Sequence, residues 1–209
     1  MSMKKVHKFL LLLLAFALFR CDMPQINFAP NKDAPRKLVV DPNYEIGGRL
    51  YYQQAGFSFE PYQQAAKDEI SLSELDNDIH SICIQNDEFT FCIYGTKTDP
   101  RFKSTSDLSD YWVSSFMDKE EEKVVITQAI ETSIIANGNE GTAVELIIES
   151  EKFMGFTFSG EIIVLQISTN QYLIAYGFSN RDHRYNVGAW YTRGQKIFES
   201  MVSTVEFIQ

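Results

Sequence analysis

The 209-residue sequence has little of the side-chain chemistry that catalysis and metal binding usually require. It contains three histidines and three cysteines, and it has no glycine-rich phosphate loop, no nucleophile elbow and no paired-cysteine zinc pattern. His80 and His183 lie in separate neighbourhoods of the sequence, which do not supply the converging ligands of a metal site. We therefore expect no catalytic residue, no bound metal and no cofactor.

The sequence is also poor in positive charge, with a formal net charge of -9. Four of its 19 basic residues lie among the first 20 positions, which leaves 15 basic against 28 acidic side chains for the rest. A surface with this excess repels phosphate backbones, so we expect no nucleic-acid partner. The hydrophobic content of 44% is ordinary for a globular protein and argues against disorder.

The first 21 residues have the organisation of an export signal. Three lysines within the first eight residues supply a positively charged start, and an unbroken apolar run follows over 9–19. This run is shorter than the ~20 residues that a membrane-spanning helix needs. The pattern therefore predicts a signal peptide over 1–21.

The signal ends in Leu18-Phe19-Arg20-Cys21, which resembles the lipobox of bacterial lipoproteins, where the cysteine becomes lipid-modified. Arg20 departs from that pattern, since a small residue is usual there, and the alternative is an ordinary or uncleaved signal with an incidental cysteine. The polar tail after Cys21 favours lipidation. We predict an extracytoplasmic lipoprotein of a bacterial cell envelope, anchored to the membrane through Cys21.

Residues 22–45 are rich in proline and show no apolar periodicity. Such a segment is typical of an extended linker, so we predict a flexible tether over 22–45. The remaining residues, 46–209, are enough for one domain with a sizeable core.

Three consecutive strands are predicted in the second half of the chain: Ala143 to Ser150, Phe156 to Ile167 and Tyr172 to Phe178. Their connectors are short and polar, which predicts antiparallel neighbours. Residues 162–165 of the middle strand are apolar on both faces, so this strand should lie inside the sheet and be covered on each side.

Residues 81–94 have the pattern of a β-hairpin with a polar turn. If Gln85 pairs with Thr90, then Cys83 lies opposite Cys92, on the face away from the apolar side chains. Directly opposed positions approach disulfide geometry, and export permits oxidation, so Cys83 and Cys92 are a possible disulfide. The alternative is two reduced, buried thiols.

Two helices are predicted, one from Thr105 or Ser106 to about Asp118 and one from about Val187 to Ser200. The first should present one face composed of Leu108, Tyr111, Trp112, Ser115 and Phe116. The order of strands, helix, strands and helix predicts an α+β fold, with a central antiparallel sheet flanked by helices on both faces.

The opening Gly56-Phe57-Ser58-Phe59-Glu60-Pro61, the strands over 141–178 and the ending Thr204-Val205-Glu206-Phe207 resemble the PsbP-like family, which includes bacterial lipoproteins. The resemblance spans about residues 55 to 208. It implies an α/β/α sandwich that serves as a binding or assembly module. The family also includes the extrinsic photosystem II subunit of plants. None of the metal-binding residues of that subunit can be placed on a matching position in this sequence, so the resemblance implies no metal site here.

One loop combines basic and aromatic residues on an otherwise acidic chain. Arg181 and Arg184 can hold a carboxylate or a phosphate in a bidentate manner, and His183 and Tyr185 are additional donors. This loop is a possible ligand site. The alternative is a solvated connector whose arginines pair with local acids such as Asp182.

These observations favour a non-enzymatic, envelope-anchored module that binds a protein partner or stabilises an envelope assembly. The alternative function is small-molecule binding, in a pocket between the sheet and a helix that is lined by Trp112, Trp190 or Tyr191.

Overall fold

The computed structural model describes residues 34–53, 56–62, 69–76, 79–85, 88–95, 101–117, 124–150, 156–169, 171–179 and 189–208. The predicted signal peptide, with its lipidation site Cys21, lies outside the described residues. The predicted ligand loop from Arg181 to Tyr185 also lies outside them. Within the described ranges, no helix is both long enough and apolar enough to cross a membrane.

The described residues form strands and two helices in the order that the sequence predicted. In chain order these elements are β1 (Arg36–Leu38), β2 (Leu50–Tyr52), β3 (Phe57–Phe59), β4 (Glu69–Asp76), β5 (Ile79–Gln85), β6 (Phe89–Gly95), α1 (Thr105–Met117), β7 (Val124–Ala136), β8 (Asn139–Ser150), β9 (Phe156–Ser168), β10 (Gln171–Ser179), α2 (Gln195–Ser203) and β11 (Glu206–Phe207). A single π-helical turn, Trp190–Gly194, continues directly into α2. The fold is therefore of the α+β class.

The larger sheet has the strand order β1-β7-β8-β9-β10-β6-β5-β4, and the smaller one has the order β11-β3-β2. Neighbours from β7 to β4 are antiparallel, which confirms the predicted direction of the three central strands. Strand β1 pairs with β7 in parallel, so the sheet is mixed rather than purely antiparallel as predicted. A parallel pair needs a long connection, and the chain between β1 and β7 provides one.

Strand β1 lies within the range that the sequence analysis assigned to a flexible tether. Arg36, Lys37 and Leu38 pair with residues 134–136 of β7, and the Leu38 side chain is buried in the core. The folded part therefore begins before the predicted boundary at residue 46. The proline pattern concealed this strand because three paired residues are too few to show periodicity.

The centre of β9 is covered on both sides, as the apolar run predicted. Ile162, Ile163, Val164 and Leu165 are all buried. Ile162 and Val164 join one hydrophobic cluster, and Ile163 and Leu165 join the other. The first cluster also contains Leu108 and Val113 of α1, whereas the second also contains Phe198 and Met201 of α2.

The hairpin of β5 and β6 has the predicted register. Gln85 pairs with Thr90, and Cys83 pairs with Cys92. The neighbouring Ile82 belongs to the cluster on the α2 side, whereas Cys92 belongs to the other cluster. The structure joins the two cysteines as a disulfide, with their Cα atoms 4.1 Å apart. Their oxidation in the exported protein stays a prediction.

Helix α1 begins where its sequence predicted, but its buried face differs. The Ser104 hydroxyl accepts a hydrogen bond from the backbone N–H of Asp107 at 3.0 Å, so Ser104 caps the helix rather than Thr105 or Ser106. Val113 is buried, whereas Tyr111 and Ser115 are exposed. The predicted face is wrong at Tyr111 and Ser115.

The π-helical turn lies against Gly177, near the end of β10. A Cβ atom built at Gly177 would lie 2.7 Å from Trp190, 2.9 Å from Phe91 and 3.0 Å from Phe198. These three rings are fully or almost fully buried, so none of them can move aside without disturbing the core. The absence of a side chain at Gly177 therefore sets how closely the C-terminal helical segment approaches the sheet.

We expect Gly177→Ala to lower the free energy of unfolding by about 1–3 kcal/mol, because the added methyl group overpacks this aromatic contact. Urea unfolding followed by tryptophan fluorescence measures the change. Gly48→Ala is the matched control, because a Cβ atom there meets nothing within 4 Å. Equal stability of the two variants would show that the three rings leave room for a methyl group at position 177.

Candidate functional site

The sequence predicted Trp112, Trp190 or Tyr191 as alternative linings of a pocket, and the structure separates the two tryptophans. Trp112 packs against the cluster on the α1 side, with its ring 5.3 Å from that of Tyr94, whereas Trp190 lies in the cluster on the α2 side. Trp190 is fully buried, and Tyr191 is 39% exposed. Trp112 and Trp190 therefore lie on opposite faces of the sheet and cannot line one pocket.

A group of ionisable side chains lies instead between the sheet and the C-terminal helix. We call this group, Arg36, Glu145, Glu161 and Glu199, the buried acidic cluster. Its members come from β1, β8, β9 and α2, and Glu145 and Glu161 are direct neighbours across β8 and β9. Glu161 is 0% exposed, although a carboxyl group is rarely buried completely.

Arg36 is the centre of this cluster. Its Nη2 atom donates a hydrogen bond to Glu161 Oε1 at 2.7 Å, and its Nη1 atom donates to Glu199 Oε1. Beside this pair, Gln195 Nε2 donates to Glu145 Oε1 at 3.2 Å. One arginine thus ties an edge strand, a central strand and a helix together.

Two polar atoms of the cluster are left without partners. Within the described residues, neither Glu161 Oε2 nor Arg36 Nε has a hydrogen-bond partner. A charged carboxylate that is buried with one oxygen unsatisfied is costly, so the neutral acid is the favoured form.

The pKa values follow from this burial. Burial raises the pKa of Glu161 to about 8, and the negative charge of Glu199 acts in the same direction, whereas Arg36 opposes them by less. Burial also raises the pKa of Glu199. Burial alone would lower the pKa of Arg36, but its attraction to Glu161 and Glu199 outweighs burial and raises it. The raised pKa of Glu161 favours its neutral form, and Arg36 is paired with both Glu161 and Glu199.

The cluster joins β1, β9 and α2 through Arg36. Glu161 has no exposed atom with which to reach a substrate. Among the described residues, no group of three or more His, Cys, Asp or Glu side chains is arranged to hold a metal ion. What the arrangement can do chemically is bind and release a proton inside the fold.

A separate, open pocket lies beside the π-helical turn and α2. Its volume is about 360 Å³, and it is lined by Asp41, Asn43, Tyr44, Glu45, Tyr62, Thr192, Arg193, Lys196 and Ile197. The sequence analysis did not assign a role to any of these residues. They converge because the chain after β1 folds back across the C-terminal helix, where the backbone N–H of Asp41 donates to Ser200 Oγ at 2.9 Å.

The sequence indicated that Glu161 is buried, but it did not indicate which residues contact it. Glu161 shares the parity of Ile163 and Leu165 along β9, so the predicted strand already placed it on a covered face. Nothing in the sequence indicated that Arg36 and Glu199 would meet it, because they are 125 and 38 positions away along the chain.

Comparison with known proteins identifies solved structures with a similar fold. No family model matches the chain, and no curated protein matches it. The solution structure of cyanobacterial PsbP (CyanoP) from Synechocystis is similar, with a TM-score of 0.51, 10% identity, and coverage of 77% of this chain and 91% of that one. The Ran-binding protein Mog1p of Saccharomyces cerevisiae also has a TM-score of 0.51, with 8% identity and coverage of 79% and 97%. The chain has a PsbP-like fold.

We expect Glu161→Gln to remove part of the pH dependence of stability. Glu161 has a raised pKa in the folded state, so its contribution is fully present below its unfolded value of about 4.5 and is lost as the pH rises through about 8. The neutral amide mimics the protonated acid at every pH. Relative to the unsubstituted protein, the variant should gain up to ~1.4 kcal/mol per pH unit over this range.

Urea unfolding at pH values between about 5 and 9 measures this difference. Glu140→Gln is the control, because Glu140 is exposed and the same change there should leave the pH profile unaltered. Parallel profiles for Glu161→Gln and the unsubstituted protein would contradict a raised pKa at Glu161.

Proposed function

We propose that this chain is a non-enzymatic module that binds a protein partner or supports an assembly. Its fold is shared with a PsbP protein and with a protein described as Ran-binding, which supports a binding role for the architecture. The burial of Glu161 and its pairing with Arg36 further support this view, because they direct the ionisable groups of the buried acidic cluster towards one another.

The observation that carries this proposal is an exposed apolar patch at the edge of the larger sheet. Val125 and Ile130 of β7 are 49% and 45% exposed, and Tyr191 is 39% exposed. Val125 and Ile130 pair with Glu149 and Glu145 of β8, so both side chains point to the α2 side of the sheet. Glu145 also acts electrostatically on Tyr191. We call these three residues the β7 patch.

The backbone beside the β7 patch offers a way to bind an extended segment. Strand β1 pairs only with residues 134–136, so within the described part of the chain residues 124–133 have no strand neighbour on the side away from β8. These ten residues contain no lysine, arginine or proline, and their protection against pairing is limited to a β-bulge between Ile126 and Gln128 and the charge of Glu131. An extended segment of a partner that continues the line of β1 would complete the backbone hydrogen bonds and cover the patch.

We further propose the finer features of this module. Helices α1 and α2 form the outer layers of a three-layer sandwich, which is supported by their separate hydrophobic clusters. The chain is exported and held at a bacterial envelope by a lipid on Cys21, which is supported by the apolar run and the cysteine that follows it. Both features suit a module that presents the β7 patch outside the cytoplasm.

The double substitution Val125→Lys and Ile130→Lys tests the partner interface. Charge at a binding edge opposes strand addition, so we expect cross-linked partner captured from a bacterial envelope fraction to fall at least tenfold. The control is Val39→Lys with Ile46→Lys, which adds the same charge at positions that are 61% and 48% exposed. Equal capture by both variants would remove the β7 patch as the interface, and no specific capture by the unsubstituted chain would overturn the proposed function.

The substitution Cys21→Ala tests the anchor. If the cysteine carries the lipid, the variant should move from the membrane fraction to the soluble fraction when it is expressed in a bacterium, since it lacks the acyl chains that bind the bilayer. Fractionation and the mass of the mature protein measure this. Unchanged membrane association and mass would show that Cys21 is incidental.

A further inference from the structure

The open pocket beside α2 has two walls of opposite charge. The segment that follows β1 contributes Asp41 and Glu45, and the helical segment on the other side contributes Arg193 and Lys196. Among the described residues, no ion pair joins one wall to the other. The two walls therefore face each other with opposite charge and, in the part of the chain that the structure describes, without a direct ion pair between them.

Contacts outside the ligand space fix one residue of each wall. Arg193 pairs with Glu88 and lies over the ring of Phe89, which fixes its position and leaves Lys196 as the cation with more freedom to meet a ligand. On the acidic wall, Asp41 Oδ1 accepts a hydrogen bond from the backbone N–H of Asn43 at 2.8 Å. This hydrogen bond orients the Asp41 carboxylate.

Apolar and aromatic side chains lie between these walls. Tyr62 is buried and packs edge-on against Phe91, with 6.0 Å between ring centroids. The Tyr44 hydroxyl donates to the backbone carbonyl of Glu60 at 2.9 Å, so its ring is also fixed. Ile197 of α2 completes this part of the lining. A preformed apolar floor with a few polar groups is typical of a small-molecule site.

We propose that this pocket binds a small zwitterion with an apolar side chain, of the size of an amino acid or a dipeptide. The carboxylate of such a ligand would face Lys196, its ammonium group would face Asp41 and Glu45, and its side chain would lie over Tyr62. The volume of about 360 Å³ is at the lower end of the ~300–1,000 Å³ that small-molecule sites occupy. A ligand with only one charge would leave one wall unpaired.

Three probes separate the two charges: L-phenylalanine, N-acetyl-L-phenylalanine, which lacks the ammonium group, and L-phenylalaninamide, which lacks the carboxylate. Titration into the full-length chain in detergent at about pH 6, where the free amines are charged, is followed by calorimetry or NMR. We expect L-phenylalanine to bind and each analogue to bind about three- to tenfold more weakly.

Substitutions at two exposed positions show which wall binds each charge of the ligand. Lys196→Gln should weaken L-phenylalanine and the N-acetyl analogue but leave the amide unaffected, because the amide has no carboxylate for Lys196. Glu45→Gln should weaken L-phenylalanine and the amide but leave the N-acetyl analogue unaffected. The controls Lys103→Gln and Glu140→Gln make the same charge changes at exposed positions outside the pocket.

The proposal is overturned if L-phenylalanine does not bind at up to about 10 mM, beyond the weak end of specific affinities. It is also overturned if both pocket variants bind all three probes as the controls do. The result is independent of the proposed partner interface, because none of the residues of the β7 patch lines the pocket.

Discussion

The burial of Glu161 is the constraint on which the α2 side of this fold depends. A carboxyl group at this position interrupts an apolar strand in the centre of the sheet, and it is stable there only as the neutral acid or with a cation beside it. Arg36 supplies that cation from β1, which lies at one edge of the sheet. Because Arg36 also pairs with Glu199, the same contact fixes α2 over the sheet. The position of β1, the burial of Glu161 and the position of α2 therefore depend on the same residue, Arg36.

The path of the chain around Arg36 also produces the two surfaces to which we assign binding. After β1 the chain turns back across α2, and this return forms the acidic wall of the pocket. Because β1 covers only the last three residues of β7, the rest of that strand has no strand neighbour on this side among the residues that the structure describes. If β1 were longer, it would cover the residues beside Val125 and Ile130. The shortness of β1 thus accounts for the open edge, and the return of the chain accounts for the pocket.

Local pattern was sufficient to predict much of the fold. The double burial of 162–165, the direction of the central strands and the pairing of Cys83 with Cys92 all follow from periodicity and turn length. The pattern failed where the structure depends on distant residues. Strand β1 has three residues and a pairing partner 98 positions away, so it left no periodic signal. The pocket is assembled from three separate segments of the chain, and single-sequence reasoning has no means of bringing Asp41, Tyr62 and Lys196 together.

The two sides of the larger sheet differ in how completely they are closed. On the α1 side the core contains the hydroxyl pair of Tyr94 and Tyr176, and the disulfide of Cys83 and Cys92 links β5 to β6. On the α2 side the core is interrupted by Glu161 and ends at exposed apolar residues. A buried carboxyl group and an unpaired strand edge both reduce stability. The proposed partner interface and the proposed ligand pocket both lie on this less complete side, so binding there can act on the same helix that Arg36 holds in place.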